Sequence, residues 1–221
     1  MNSLQSATSA QARRNRKLLS EASYLGERIN SRVLPLDIDI AGPLTTQQRD
    51  ALAGLGVEAA STAISSLASL AKIGELDHLG GGLELIDPLL MTLAVADGET
   101  VDYTIEHAHT SIGYYAALAA FGYVKAKDVI DGFRRGIDIA GHVSWLPGGT
   151  QLNGGRLGVM VPVAVGQALG RRARKGNDAW VITHCGDAGW ISGQALNGFN
   201  GASALGAPVT FVMHRNGIQL S

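Results

Sequence analysis

Residues 178–217 read DAWVITHCGDAGWISGQALNGFNGASALGAPVTFVMHRNG, and this stretch decides the fold that the sequence predicts. Residues 178–185 form a β-branched run that is typical of a strand, and residues 208–214 form a second one. Between them, the residues from about 192 to 205 favour a helix. A strand, a helix and a strand in this order make one βαβ unit with parallel strands. The sequence therefore predicts an α/β fold, a parallel sheet flanked by helices.

Asp187 and Asn216 come directly after these two predicted strands. Because ligands bind at the carboxyl ends of parallel strands, we expect the two side chains to lie close together. Carboxylate and amide oxygens suit Mg²⁺ or Ca²⁺ rather than zinc, and a Mg²⁺ site with few protein ligands is completed by phosphate oxygens and water. Gly186 before the acid and Gly189 after it leave room for backbone N–H groups to approach a phosphate. An ordinary turn acid and an ordinary turn amide explain this pair of residues equally well.

The composition is that of a soluble globular protein with one substantial core: 46% of the 221 residues are hydrophobic and 17% are charged. The net charge of −1 gives no reason to expect a nucleic-acid partner. No uninterrupted apolar run approaches the roughly 20 residues that cross a bilayer, and no apolar stretch follows the basic residues near the N-terminus. Cys185, the single cysteine, suits a reducing compartment and is expected to be a small buried residue. We therefore expect a cytoplasmic protein with no membrane partner.

The chain divides into two parts by its composition. Residues 1–44 are predicted to form a helical N-terminal extension and connector, with a polar helix over residues 10–29. Residues 45–221 are predicted to form the main domain.

Two helices are predicted at the start of this main domain. Thr45 and Gln48 have the spacing of a capping box, and apolar residues recur at helical spacing from 52 to 73. The segment LELIDPLLMTLAV (83–95) is also predicted to be helical, with Pro88 tolerated in its first turn.

The order of motifs resembles the thiamine diphosphate enzymes of the transketolase family, specifically their N-terminal, diphosphate-binding domain. The segment CGDAGWISGQALNGFNGASALGAPVTFVMHRNG (185–217) resembles the family's Gly-Asp-Gly to Asn cofactor motif. Four upstream segments resemble further family motifs in the same order: DHLGGGLELID (77–87), EHAHTSIGYY (106–115), GHVSWLPGG (141–149) and NGGRLGVMVPVAVGQAL (153–169). Together they cover roughly residues 65 to 221, and the set is much more specific than any one motif.

The resemblance implies a clamp for the cofactor. The Asp187 side chain, the Asn216 side chain and the backbone carbonyl of Ile218 would hold a divalent ion, Mg²⁺ or Ca²⁺, that bridges the two phosphates of thiamine diphosphate. The cofactor-binding residues implied in this way are Gly155, Leu157, Gly158, Gly186, Asp187, Ala188, Asn216 and Ile218.

The resemblance also implies three catalytic histidines. His78, His109 and His142 match the histidines that line the substrate channel of the family, where they would orient sugar hydroxyls and shuttle protons. The reaction implied is the transfer of a two-carbon ketol unit between sugar phosphates. Three other histidines match no catalytic position and are expected to be structural: His107, His184 and His214.

The chain departs from the family pattern at several positions. Ala188 is the third residue of the Gly-Asp-Gly motif, and Arg156 replaces the usual proline. Ser192 and Asn197 stand where transketolases commonly have glutamates of the proton network that joins two cofactors. The segment 193–208 is closer to the α subunit of 2-oxo acid dehydrogenases, which share the motif.

The largest departure concerns a missing domain. In the family, a glutamate on a separate pyrimidine-binding domain activates the cofactor, and we expect that domain to come from a partner chain or from a missing C-terminal region. The family's cofactor sits between subunits, so a homo- or hetero-oligomer is expected, and the chain alone is expected to be inactive. Three functions stay open: a transketolase-type catalytic half, a 2-oxo acid dehydrogenase α-like subunit, and a non-catalytic remnant that binds the cofactor or only a partner.

Overall fold

The computed structural model describes residues 38, 42–74, 80–98, 100–136, 138–146, 148–150, 152 and 154–217. The helix predicted over residues 10–29 lies outside them, as do His78 and Ile218. The chain forms two compact units. The first takes the residues up to Asp97 together with His109–Gly149, and the second takes Gly98–Ala108 together with the residues from Thr150 onward.

The first unit is helical. It begins with α1, and Thr45 caps this helix: the Thr45 hydroxyl accepts from the Gln48 amide at 3.2 Å, and the Gln48 side chain accepts from the Thr45 amide at 2.9 Å. The predicted capping box is therefore confirmed. The helices of this unit are α1 (Thr46–Ala71), α2 (Gly80–Glu84), α3 (Ile86–Val95), α4 (Ser111–Ala120) and α5 (Ala126–Gly132).

Helix α1 is the element on which the others of this unit pack. It contacts α2, α3, α4 and α5, and its Ser66 hydroxyl donates to the Val129 carbonyl of α5 at 3.1 Å. By length and composition alone α1 would suffice to cross a membrane, a property that core helices of soluble proteins share, and one third of that stretch is buried. The segment 83–95, predicted to be helical, is divided: α2 ends at Glu84 and α3 begins at Ile86, with Pro88 in the first turn of α3, where no intrahelical N–H bond is lost.

The second unit holds a parallel sheet of three strands in the order β1-β2-β3. They are β1 (Val101–Ile105), β2 (Trp180–Gly186) and β3 (Val209–His214). In the register of the sheet, Ile182 of the central strand pairs with Tyr103 on one side and Thr210 on the other. The predicted α/β class and the βαβ unit are confirmed. The strand β1 was not singled out from the sequence, although four of its five residues, VDYTI, are β-branched or aromatic.

Three helices complete this unit: α6 (Met160–Lys175), α7 (Asp187–Trp190) and α8 (Gly193–Leu205). Helix α6 packs on the sheet and on α8. The core between them contains Cys185, which is fully buried, and burial raises the pKa of its thiol to about 12. The predicted role of Cys185 as a small buried residue is thus confirmed.

A buried ion pair holds α6 to β1. The Arg171 guanidinium donates to the Asp102 carboxylate at 3.0 Å and to the Gly98 carbonyl at 3.0 Å, and the Gln167 amide donates to the same carboxylate at 3.1 Å. Because each buried charge has hydrogen-bond partners, the pair fixes the helix against the strand instead of leaving a charge unpaired.

Candidate functional site

The structure brings the turn of Asp187 and the turn of Asn216 together. Strands β2 and β3 are neighbours, and Gly186 pairs with His214, so the two turns follow at the same edge of the sheet. One oxygen of the Asp187 carboxylate accepts from the Ala188 amide at 3.0 Å, and the other accepts from the Gly217 amide at 3.1 Å. The carboxylate therefore ties the turn after β2 to the turn after β3, while Asn216 lies exposed beside it.

The predicted glycine loop precedes α6 and borders an open cleft. Gly155 has a φ of 133°, which favours glycine, and a Cβ built on it would meet nothing within 4 Å. Gly158 has a φ of 79°, and its Cβ would overlap the Ser192 hydroxyl. Gly155 thus faces open space, whereas packing within the chain requires Gly158; contact with a cofactor stays a prediction for both. The cleft has a volume of about 460 Å³ and is lined by Gly154, Gly155, Arg156, Val159 and Met160.

Glu106, which the sequence did not single out, lies buried beside these turns. Its carboxylate accepts from the Gly158 amide, and a Cβ on Gly189 would lie within 2.5 to 2.7 Å of the carboxylate atoms. Burial raises the pKa of this carboxyl, and the backbone hydrogen bonds from Gly158 and Gly186 lower it by less. The side chain therefore joins the glycine loop to the turn that carries Asp187. The sequence signal for Glu106 was an acid directly after β1.

The stability of Glu106→Gln relative to the parent is expected to increase as the pH rises. Because the folded carboxyl has a pKa above its ordinary value of 4.5, folding takes up a proton there. That contribution is full below the ordinary value and is lost as the pH rises through the raised pKa. Glutamine keeps the shape and one acceptor oxygen but does not titrate.

Melting temperatures of both proteins from about pH 4 to pH 8 test this expectation. The difference between variant and parent should shift in favour of the variant toward neutral pH. A difference that stays constant over this range would show that the Glu106 carboxyl titrates alike in both states.

His109 and His142, two of the three predicted channel histidines, lie next to each other in the first unit. Their ring centroids are 5.3 Å apart, and both side chains are exposed. Helix α4 fixes the loop of His142, because the Tyr115 hydroxyl donates to the His142 carbonyl at 2.8 Å and the Ser111 hydroxyl donates to the Gly141 carbonyl at 2.8 Å. The structure therefore places the two imidazoles side by side in this unit.

His107, His184 and His214 form a separate cluster at the carboxyl ends of the three strands. All three are buried, and the Nδ1 of His184 lies 2.9 Å from the Nε2 of His214, so one ring donates to the other. Burial holds the pKa of His184 well below its usual range and lowers that of His214 to about 4. His184 and His214 are therefore neutral at physiological pH, and the cluster packs the strand ends together.

Ser192 has a structural role of its own in the second unit. It is the N-cap of α8, and its hydroxyl accepts from the Ala195 amide at 3.1 Å. Asn197 lies one turn further along the same helix and is exposed. The structure thus explains the serine by helix capping.

One comparison with known proteins bears on this site. Residues 149–221 match the family model of the dehydrogenase E1 component, whose members depend on thiamine diphosphate. The match covers the glycine loop, β2, α8 and β3, and with them Asp187 and Asn216. No curated protein matches the chain. The last third of the chain is therefore similar to the E1 component of thiamine diphosphate-dependent dehydrogenases, and this similarity supports a thiamine diphosphate-dependent enzyme family.

Proposed function

We propose that this chain is the diphosphate-binding half of a thiamine diphosphate-dependent enzyme. The observation that carries the proposal is the pair of turns after β2 and β3, which the Asp187 carboxylate and the Gly217 amide hold together at 3.1 Å. The donor set fits the ion: a carboxylate and a carboxamide are hard oxygen ligands of the kind that Mg²⁺ prefers.

The chain's own residues have separate tasks in this proposal. Asp187 and Asn216 hold the divalent ion, with the Ile218 carbonyl as the third protein ligand. Gly155, at the open cleft of about 460 Å³, leaves the backbone accessible to a phosphate. Bound thiamine diphosphate supplies an electron sink for breaking and forming carbon–carbon bonds.

His109 and His142 act on the substrate in this proposal. Their imidazoles, 5.3 Å apart, orient its oxygen atoms by hydrogen bonds and hold or release a proton at a ring nitrogen. The loop contacts of Tyr115 and Ser111 keep the His142 backbone in place, so the pair does not have to be ordered when the substrate binds.

Two substrate classes compete for the site. The five motifs in family order support a transketolase-type transfer of a two-carbon ketol unit between sugar phosphates. The match over residues 149–221 supports instead a 2-oxo acid dehydrogenase E1 function. Either reaction requires a pyrimidine-binding domain, and we propose a cytoplasmic homo- or hetero-oligomer. A non-catalytic remnant is the third candidate, and it is favoured by Ser192 and Asn197, which stand where transketolases commonly have glutamates.

Calorimetric titration of thiamine diphosphate into the full chain with Mg²⁺ tests the proposal. We expect binding that EDTA removes, and much weaker binding of thiamine, which lacks the diphosphate. Equal binding of thiamine and thiamine diphosphate, or binding indifferent to EDTA, would contradict a metal–diphosphate clamp. An activity assay with a pyrimidine-domain chain added then separates the candidates. Turnover of a sugar phosphate supports the transketolase-type reaction, turnover of a 2-oxo acid supports the dehydrogenase reaction, and turnover of neither supports the remnant.

A further inference from the structure

A small cavity of the first unit lies beside the histidine pair. It has a volume of about 80 Å³, and its wall combines apolar side chains with three nitrogen-bearing ones. The lining residues are Leu67, His109, Ile112, Phe133, Arg134, Gly141 and His142. None of these lining residues is an aspartate or a glutamate.

Within this wall, the backbone conformation and the side-chain environment of Arg134 are unusual. Its φ of 58° places it in the left-handed region, which a residue with a side chain rarely adopts and which costs about 1 to 3 kcal/mol. The Nη1 atom of its guanidinium is buried and has no hydrogen-bond partner among the described residues. The ion pairs found in the described part of the chain do not include it either. A Cβ on Gly141 would lie 2.9 Å from the Nε atom, so the glycine leaves room for the guanidinium.

Its neighbour Arg135 shows what an ordinary surface arginine does here. The Arg135 guanidinium donates to the Ser69 carbonyl at 2.8 Å and to the Asp131 carbonyl at 2.9 Å, and the side chain is exposed. Arg135 is thus satisfied by the helices beside it. Arg134, one residue earlier, is turned into the wall of the cavity by a strained backbone.

Burying a guanidinium nitrogen without a hydrogen-bond partner costs free energy. A bound ligand or ion would supply the missing partner. Guanidinium and imidazole N–H groups that line one cavity favour an oxyanion, since arginine matches carboxylate and phosphate geometry. The cavity of about 80 Å³ has room for a small anion.

We propose that Arg134, His109 and His142 form a subsite for a small oxyanion, either a carboxylate or a phosphate group. The site itself does not depend on thiamine diphosphate. Only the identity of the anion as part of the substrate rests on the proposed function: a carboxylate would come from a 2-oxo acid, and a phosphate from a sugar phosphate.

Binding to the full chain, without thiamine diphosphate and with EDTA, tests the proposal. The histidine rings are labelled with ¹³C, and inorganic phosphate or pyruvate is added while the ring signals are followed by NMR. We expect saturable shifts of the His109 and His142 signals, and none for His184, which is fully buried and lies in the other unit. Saturation by phosphate alone favours a sugar phosphate, and saturation by pyruvate alone favours a 2-oxo acid.

Three variants separate the subsite from general attraction of anions to histidine. Arg134→Met should weaken binding at least about 10-fold, because a charge-assisted hydrogen bond is lost. Arg134→Lys should restore part of it, and Arg135→Met, the matched control, should leave it unchanged.

Two results would overturn the subsite: shifts of His109 and His142 that do not saturate in the folded parent protein, or equal binding by Arg134→Met and Arg135→Met. Circular dichroism shows whether each variant is folded. If Arg134→Met does not fold, two other results test the subsite. Binding to the parent protein must saturate, and Arg134→Lys must bind the anion more weakly than Arg135→Met. Since no cofactor is added, the proposed function and the subsite fail independently.

Discussion

Asp187→Ala is expected to lower the affinity of the chain for thiamine diphosphate in the presence of Mg²⁺ by at least about 100-fold, since even the residues behind a metal ligand are worth 10- to 100-fold. The substitution removes a predicted ligand of the ion. It also removes the acceptor of the Gly217 amide, and with it the hydrogen bond of 3.1 Å between the two turns. Calorimetric titration of parent and variant measures the loss.

Asp178→Ala is the matched control for this experiment. Asp178 is an exposed acid in the turn before β2, at the opposite end of the strand from Asp187, so its loss changes the net charge equally. We expect its affinity to stay within about two-fold of the parent, because exposed charges are screened. Unchanged binding by Asp187→Ala would overturn the metal clamp, and an equal loss in both variants would assign the effect to charge.

The meeting of the two turns that carry Asp187 and Asn216 could be predicted because it depends on local signals. A β-branched run, a helix and a second run determine the βαβ unit, and the unit places Asp187 and Asn216 at one edge of the sheet. Each step needs only neighbouring residues and a rule about parallel strands. The same reasoning correctly predicted the capping box, whose two residues, Thr45 and Gln48, lie three positions apart.

The two residues that the sequence did not reveal, one in each unit, depend on features that only the folded chain shows. Glu106 meets the Gly158 amide across 52 positions of the chain. Arg134 was singled out by its buried nitrogen and its left-handed backbone, and neither feature can be read from the amino-acid sequence. No periodicity reports such contacts, since they arise only when separate elements pack.

Two glycines of the predicted motifs illustrate the same limit. Gly82 lies in the segment 77–87 and Gly113 in the segment 106–115, and both segments resemble motifs whose histidines line the substrate channel of the family. In the structure these glycines meet each other where α2 crosses α4. A Cβ on Gly113 would overlap the carbonyl oxygen of Gly82, and a Cβ on Gly82 would overlap the Ile112 side chain. Close approach of the two helices therefore explains both glycines.

Gly113→Ala is accordingly expected to destabilise the chain by about 3 kcal/mol or more, as severe overpacking in a core does. The added methyl group meets a backbone oxygen, which cannot turn away as a side chain does, so α2 and α4 must separate. The midpoint and slope of urea unfolding, followed by circular dichroism, measure the loss of free energy.

Gly54→Ala tests whether the loss comes from the crossing or from any change of a helical glycine. Gly54 lies on the exposed side of α1 in the same unit, and a Cβ there would meet nothing within 4 Å. Alanine should stabilise the chain at this position by roughly 0.5 to 1 kcal/mol, because it restricts the unfolded backbone and favours the helix. Opposite signs at Gly54 and Gly113 would assign the loss to the helix crossing. A neutral Gly113→Ala would show that α2 moves aside freely, which would contradict the close packing of the two helices.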